Sequence, residues 1–478
     1  MDETKTTYRF SGRDWLALAL GLALALLWRE VFSLANLTYG LPALGAAAFT
    51  FAAWVAVALV LGKGAKWTRA NIFLAVVINL LALSCAFQWS QQVRLLNFLV
   101  ILCGSVMGFL SLADVGFYPL TEARSLSEGV WDCLRGIFKN WGKPFSAIAA
   151  MAPGERKNIG GVALGLLMAA PVLLVVISGL AVADVVFGAL FGRLFDWLEG
   201  LDALGVLMRT LWTAVLTLVF FSALFFLRHE PKRSEGQEKL DPLPLSALIT
   251  ILALLTAVCA VFAAVQFKYL FGGEEAAAMS GGWAEYARSG FFSLVGVAAI
   301  VMATALACSR AGRDSLIGRV LVLALIALTF VILASAAYRL YLYVTAYGLS
   351  VMRLMAAWAI LATGVCLVLT AVKTISAGFR FWPWAAGCVL VMWLCFAFVP
   401  LGSIIASYNV DAYLGGRLEQ VDATYLYSLG PGSLEPLREL RASGLEWNDG
   451  TWPDDHLDNL IDNLENPDTP RWSAAVLG

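Results

Sequence analysis

The chain has 478 residues, of which 60% are hydrophobic and only 14% charged, with a net charge of −1 and a mean hydropathy of +0.77. A soluble globular protein carries roughly 25% charged residues, and here the deficit runs along most of the chain, which excludes an ordinary water-soluble fold. A charge at the centre of a membrane helix costs about 2.5–3.5 kcal/mol on insertion scales, so most of the surface is expected to face lipid in an all-α, polytopic helical bundle.

In chain order, Thr6 to Arg13 is polar and no small-residue cleavage site follows. The apolar run from Trp15 to Trp28 is therefore expected to be a retained first span rather than a signal peptide. A span needs about 20 apolar residues. Such runs fall at 15–34, 41–62, 71–89, 95–114, 158–182, 206–228, 243–267, 289–309, 317–340, 350–373 and 382–406, about eleven spans. Leu41-Pro42 and Asp241-Pro242 open two of them, as a first-turn proline and a cap do. Gly104 with Gly108, and Gly161 with Gly165, are spaced for close helix approach. Pro171 is expected to kink the fifth span.

With the N-terminus in the cytoplasm, 21 Lys and Arg fall in inside segments and 8 outside, leaving aside the tail. The positive-inside rule favours that orientation, and an odd number of spans then puts the C-terminal tail outside.

Two connectors read as interfacial helices. Trp131, Leu134, Phe138, Trp141 and Phe145 form one face of a helix whose other face holds Asp132, Arg135, Lys139 and Lys143, a pattern suited to an anionic inner leaflet. Phe187, Leu190, Phe191, Leu194, Phe195 and Leu198 form a similar outer stripe, with Asp196 and Glu199 opposite.

The tail from Ser407 has a net charge of −9. Helical periodicity appears at Val410, Leu414, Leu418, Val421 and Tyr425, then at Leu434, Leu437 and Leu440, then at Leu457, Leu460, Ile461 and Leu464. Gly430-Pro431-Gly432 separates the first two stretches and Ser433 is expected to cap the second. The expected domains are a four-span region at 1–116, a cytoplasmic loop with its amphipathic helix at 117–157, a seven-span region at 158–406 and an acidic extracytoplasmic tail at 407–478.

Catalytic signatures are missing. There is no G-x-x-x-x-G-K-[ST] loop, no H-E-x-x-H and no G-x-S-x-G. The only histidines are His229, read in a loop, and His456, in the tail. The cysteines sit mostly in apolar runs, as small hydrophobes do. No cofactor, no metal and no nucleic-acid partner are expected.

The richest polar cluster lies on the expected outer side. Gln266 and Lys268 end one span, Glu285 and Arg288 precede the next, and Arg339, Tyr341 and Tyr343 lead to Tyr347 and Arg353. Interfacial Arg and Tyr are ordinary anchors. The functional alternative is an outward pocket in which Arg288, Arg339 and Arg353 bind an anion, Asp184 supplies a counter-charge, and Gln266 and Tyr341 orient the ligand by hydrogen bonds.

These segments also carry a resemblance. Tyr269-Leu270-Phe271-Gly272-Gly273, Tyr286-Ala287-Arg288 with Gly290-Phe291-Phe292, and Arg339-Leu340-Tyr341-Leu342-Tyr343 running to Tyr347-Gly348-Leu349 and Arg353 resemble a bacterial membrane-protein family, domain of unknown function 4173, close to number 4153. Ala183-Asp184 with Phe187, and Asn409-Val410, are similar too, and the likeness covers about residues 158–430. It implies a bacterial cytoplasmic-membrane location and no established activity. The expectation is a non-enzymatic inner-membrane protein that binds or moves an anionic or amphipathic ligand, a lipid or a solute. One alternative is a signalling or scaffold protein using its acidic tail, with an envelope protein as partner, and its basic inner loop. Another is an enzyme of lipid or envelope chemistry with two convergent carboxylates.

Overall fold

The computed structural model describes residues 10–32, 43–115, 124–144, 203–229, 244–271, 291–376, 378–444 and 456–465. The expected fifth span with Pro171, the outer stripe at 187–198, the proline starts at Pro42 and Pro242, and Asp184, Glu285 and Arg288 lie outside the described residues. All the regular structure among the described residues is helical.

Among the described residues, six helices are long and apolar enough to cross a membrane: Leu44–Gly64, Gln91–Ala113, Arg209–His229, Leu245–Gln266, Leu316–Tyr347 and Val351–Ile375. Phe381–Ala397 and Leu401–Leu414 make a seventh if the pair counts as one span, bent by 63°. Some expected spans among the described residues fall short of that length or composition, for identifiable reasons. The first helix carries Arg13, Asp14, Arg29 and Glu30 at its ends. Arg69–Ser84 has 16 residues, about 24 Å at 1.5 Å per residue, short of a hydrocarbon core of about 30 Å.

The chain divides into two compact units. The first comprises Met1–Leu83, Phe98–Leu120 and Arg124–Glu235. It contains α1 (Gly12–Val31), α2 (Ala43–Leu61), α3 (Arg69–Ser84) up to Leu83, most of α4 (Gln91–Ala113), α5 (Arg124–Asn140) and α6 (Ala203–His229). Lipid is as apolar as a leucine side chain, so helix contact there rests on close packing rather than on exclusion of water. Gly21 of α1 meets the backbone of α6, where an added Cβ would sit 3.0 Å from the Phe221 nitrogen. Gly104 faces the Ile78 side chain and Gly108 the Trp54 ring, so on α4 these glycines make room for large side chains, while the expected close approach to the fifth span lies outside the described residues. Among the described side chains of α5, Gly136, against the Phe226 ring, and Asn140 are buried. Trp131, Leu134 and Phe138 stay exposed, and Arg135 stacks on Trp131 at 5.2 Å.

The second unit comprises Ser84–Asn97, Thr121–Ala123 and Gly236–Gly478. Its bundle is built from α7 (Leu245–Phe271), α8 (Phe291–Ala307), the short α9 (Ser309–Asp314), α10 (Leu316–Tyr347) and α11 (Val351–Ile375) around Leu252, Ala298, Leu325, Ile332 and Leu367. Leu254, Val258, Val261 and Ile300 point outward, two-thirds exposed, as lipid-facing residues do. With 32 residues α10 is about 48 Å long, some 18 Å more than the hydrocarbon core, and it continues seven residues past the expected end at 340. Its final turns therefore carry Arg339, Tyr341 and Tyr343 on a regular helix.

The last expected span breaks. α12 (Phe381–Ala397) stops before Phe398-Val399-Pro400, and α13 (Leu401–Leu414) leaves in a new direction. Pro400 has no N–H to continue α12 and serves instead as the N-cap residue of α13. Because α13 runs through positions 406 and 407, the chain has no change of element at the expected start of the tail. Val410 and Leu414 belong to α13, which ends at Gly415-Gly416, so the periodic stretch to Tyr425 is not one helix. Next come α14 (Ala423–Ser428), α15 (Leu434–Ala442) and α16 (His456–Glu465), with Leu437, Leu440, Leu457, Leu460 and Ile461 buried as the periodicity predicts and Leu426, rather than Tyr425, buried on α14. Ser433 precedes α15 without capping it, because its hydroxyl donates to the Gly430 carbonyl at 2.8 Å.

Candidate functional site

The site is organised by the three-residue turn between α10 and α11. Gly348 ends α10 with φ +79°, a conformation that glycine adopts without the Cβ penalty, and a Cβ there would meet the Asn409 Oδ1 at 2.5 Å. Ser350 caps α11 by accepting the Arg353 N–H at 3.4 Å. Between them, Leu349 is gripped from α13. Its N–H donates to Asn409 Oδ1 at 2.6 Å and its carbonyl accepts from Asn409 Nδ2 at 2.9 Å. The Val351 N–H donates to the Tyr425 hydroxyl at 3.1 Å. One face of the turn is thus fixed by side chains from α13 and α14.

Arg353 sits in the first turn of α11. Its Nη1 donates to the carbonyls of Tyr347, at 2.8 Å, and Gly348. The guanidinium lies over the Tyr343 ring at 4.1 Å and the Tyr347 ring at 5.9 Å, in the range for cation–π attraction. Its buried Nε has no hydrogen-bond partner, and it forms no ion pair among the described residues. Beside it opens a cavity of about 210 Å³, lined by Tyr347, Leu349, Arg353, Asn409, Leu418, Gln420, Val421, Asp422 and Tyr425. Burial pushes the Tyr425 phenol up, with Asp422 adding to the rise, while the Val351 amide and Arg353 pull the other way. The phenol is therefore protonated at neutral pH and keeps a proton to donate. Asp422 caps α14 with Oδ1, which accepts the Tyr425 N–H at 2.8 Å.

The sequence-predicted site residues go to different places. Gln266 and Arg339 come together: Gln266 Oε1 accepts from the Ser335 hydroxyl at 2.6 Å and from Arg339 Nη2 at 3.4 Å. That cluster joins α7 to α10 and does not line the cavity. Tyr341 is 61% exposed. Of the four predicted site residues that are described, Arg353 alone lines the cavity; Asp184 and Arg288 lie outside the described residues.

Sequence reasoning missed two further polar clusters. In the second unit Arg94, Gln88, Asn97 and Ser84 are all buried. Gln88 donates to the Ala397 and Val399 carbonyls at 3.3 and 3.4 Å, at the break after α12, and Trp393 donates to Asn97 at 2.7 Å. Arg94 Nε donates to the Gln88 carbonyl. In the sequence Arg94 is one outside cation among eight; the run of Gln88, Ser90, Arg94 and Asn97 around the 89–95 gap was the available signal. In the first unit Asp14 is fully buried, with His229 Nε2 at 2.6 Å and Arg228 Nε at 3.6 Å. The Ser11 N–H and hydroxyl each donate to the other Asp14 oxygen at 2.7 Å. His229 is thus the last residue of α6 rather than a loop residue.

The helices define an α-helical membrane protein, and its second unit holds a small cavity with an arginine beside it. The chain belongs to the family described as Domain of unknown function (DUF4153), whose model matches residues 75–440. The match is to number 4153, the related family, and not to number 4173. It extends into the stretch before the first residue of the expected likeness at 158, and past α13 and α14 into α15. No curated protein and no solved structure matches.

Proposed function

We propose that this chain is an integral protein of the bacterial cytoplasmic membrane that binds or moves a ligand through its anionic group, held in the cavity beside Arg353. The state of Arg353 carries the reading. Its guanidinium lines a cavity of about 210 Å³, lacks an ion pair among the described residues, and keeps a buried Nε without a partner. The guanidinium's Nη2 has no hydrogen bond among the described residues and, unlike Nε, is not buried, so an entering carboxylate or phosphate can pair with it in a charge-assisted hydrogen bond. The planar fork of arginine suits either group. The volume falls below the roughly 300–1,000 Å³ of drug-sized sites, so the bound part is small.

Sidedness rests on the distribution of Lys and Arg. A topology of about eleven spans with a cytoplasmic N-terminus opens the cavity to the extracytoplasmic side, with the acidic helices beyond α13 on that side too. Asp422 is the one carboxylate among the described lining residues, and paired-acid chemistry needs a second. The scaffold alternative draws on α15 and α16, joined by Arg438–Glu465 at 2.8 Å and Arg441–Asp458 at 2.9 Å into a folded acidic surface.

The test uses the full chain in lipid nanodiscs with two soluble phosphodiesters, glycerophosphoglycerol and glycerophosphoethanolamine. Losing a charge-assisted hydrogen bond costs about 1.5–3 kcal/mol, so Arg353→Gln is expected to weaken binding of both by at least about tenfold. Equal binding by wild type and variant defeats the proposal. A membrane-impermeant maleimide applied to whole cells is expected to label Ser428→Cys above the parent background. Labelling only after lysis reverses the sidedness.

A further inference from the structure

We infer that the cavity beside Arg353 selects a zwitterion, a small ligand bearing both an anionic group and an ammonium on a short linker. This rests on the anion-binding reading above and adds the second charge. Arg353 and Asp422 line the same cavity and form no ion pair with each other among the described residues. Each is committed elsewhere through only part of its hydrogen-bonding capacity. Arg353 uses Nη1 on two backbone carbonyls and stacks on Tyr343, leaving Nη2 unbonded and, unlike the buried Nε, accessible. Asp422 uses Oδ1 as the cap of α14, and Oδ2 has no partner among the described residues.

The cavity thus offers a donor edge and an acceptor edge of opposite charge. Arg353 and the protonated Tyr425 hydroxyl supply the donors, Asp422 Oδ2 supplies the acceptor, and Gln420 adds a neutral amide. Asn409 contributes shape rather than a free polar group, because both ends of its amide are held by Leu349. A purely anionic ligand would satisfy Arg353 and bring a like charge to Asp422. A zwitterion satisfies both, and about 210 Å³ limits it to a compact group. The phosphoethanolamine headgroup of a phospholipid and a free amino acid share this chemistry.

Three soluble probes separate the outcomes on the full chain in nanodiscs: glycerophosphoethanolamine, glycerophosphoglycerol and alanine. Asp422→Asn and Asp422→Ser remove the charge while keeping residues that cap helices well, and a melting curve for each verifies the fold. The wild type is expected to prefer an ammonium-bearing probe over glycerophosphoglycerol by at least about fivefold, and both Asp422 variants to abolish that preference. Tighter glycerophosphoethanolamine points to a lipid headgroup, and tighter alanine to a free amino acid. Equal or tighter glycerophosphoglycerol binding, or a preference that survives in folded Asp422 variants, overturns the zwitterion. In that case binding that still falls in Arg353→Gln leaves the anion site standing. Binding of all three probes that ignores Arg353, or no binding at all, removes the anion site and the zwitterion together.

Discussion

Replacing Asn409 by leucine tests the turn that shapes the cavity. Leucine keeps the approximate size of a side chain that is 93% buried, since Asn409 is 7% exposed, and deletes both hydrogen bonds to Leu349. Each bond contributes about 1 kcal/mol net, and two backbone groups are left without partners in a half-buried turn. The total is about 2–3 kcal/mol. That loss is local, so it reads as opening of the turn rather than as global unfolding. At about 1.4 kcal/mol per factor of ten, the Leu349 amide is expected to exchange with solvent deuterium about 30- to 150-fold faster. Hydrogen exchange followed by mass spectrometry on a peptide spanning 345–353 reads this directly, with a core peptide from α10 as the internal reference. If Leu349 exchanges at the wild-type rate in N409L, the turn is held by something else and the description of the site fails. The same variant is expected to weaken ligand binding, because the Gly348 carbonyl that orients Arg353 lies within the loosened segment.

Two further predictions concern the first unit. Asp14→Ala removes a fully buried carboxylate from His229, Arg228 and Ser11; because the Arg228 and His229 side chains are about a quarter exposed, the cost falls below that of a fully buried pair, at about 2–3 kcal/mol. It appears as a lower Tm in detergent, with Asp14→Asn losing less because it still accepts from Ser11, and an unchanged Tm in the alanine variant counts against the cluster. Gly136→Val drives a branched side chain into the Phe226 ring and is expected to loosen α5 at about 1–3 kcal/mol; trypsin should then cut faster after Arg135 and Lys139, and an unaltered digestion pattern would contradict the packing.

What the sequence made legible follows from what hydropathy encodes. Run length and apolar content marked the long helices, because those properties decide whether a segment sits in lipid. They did not mark the bend at Pro400, since Leu401, Ile404 and Ile405 continue the apolar run after the direction has changed. They also gave no warning that α10 carries Arg339 and Tyr341 on a helix running to Tyr347. That Ser335 and Arg339 share one face of α10 was readable from their four-residue spacing, but Gln266 as the acceptor common to both depends on how α7 meets α10. Arg353 was legible as a cation near a helix start. Its neighbours Asn409, Gln420, Asp422 and Tyr425 were not, because acidic composition made that region look like a separate tail, and composition carries no information on where a segment packs. Asp14 and His229, 215 positions apart, meet only through the contact of α1 with α6.

The break after α12 also bears on the order in which this protein is made. Gln88 finds its carbonyl acceptor 309 residues later at Ala397, Asn97 meets Trp393 296 residues later, and Trp89 closes against Gly430. A ribosome delivers the early polar hairpin well before any of these partners exists. During that interval the 84–97 segment must keep water or borrowed contacts around Arg94, Gln88 and Asn97, so the second unit closes only after the chain has been made through Gly430. Chains ended before Ala397 would leave that hairpin permanently unsheltered, an obvious handle for a membrane quality-control protease.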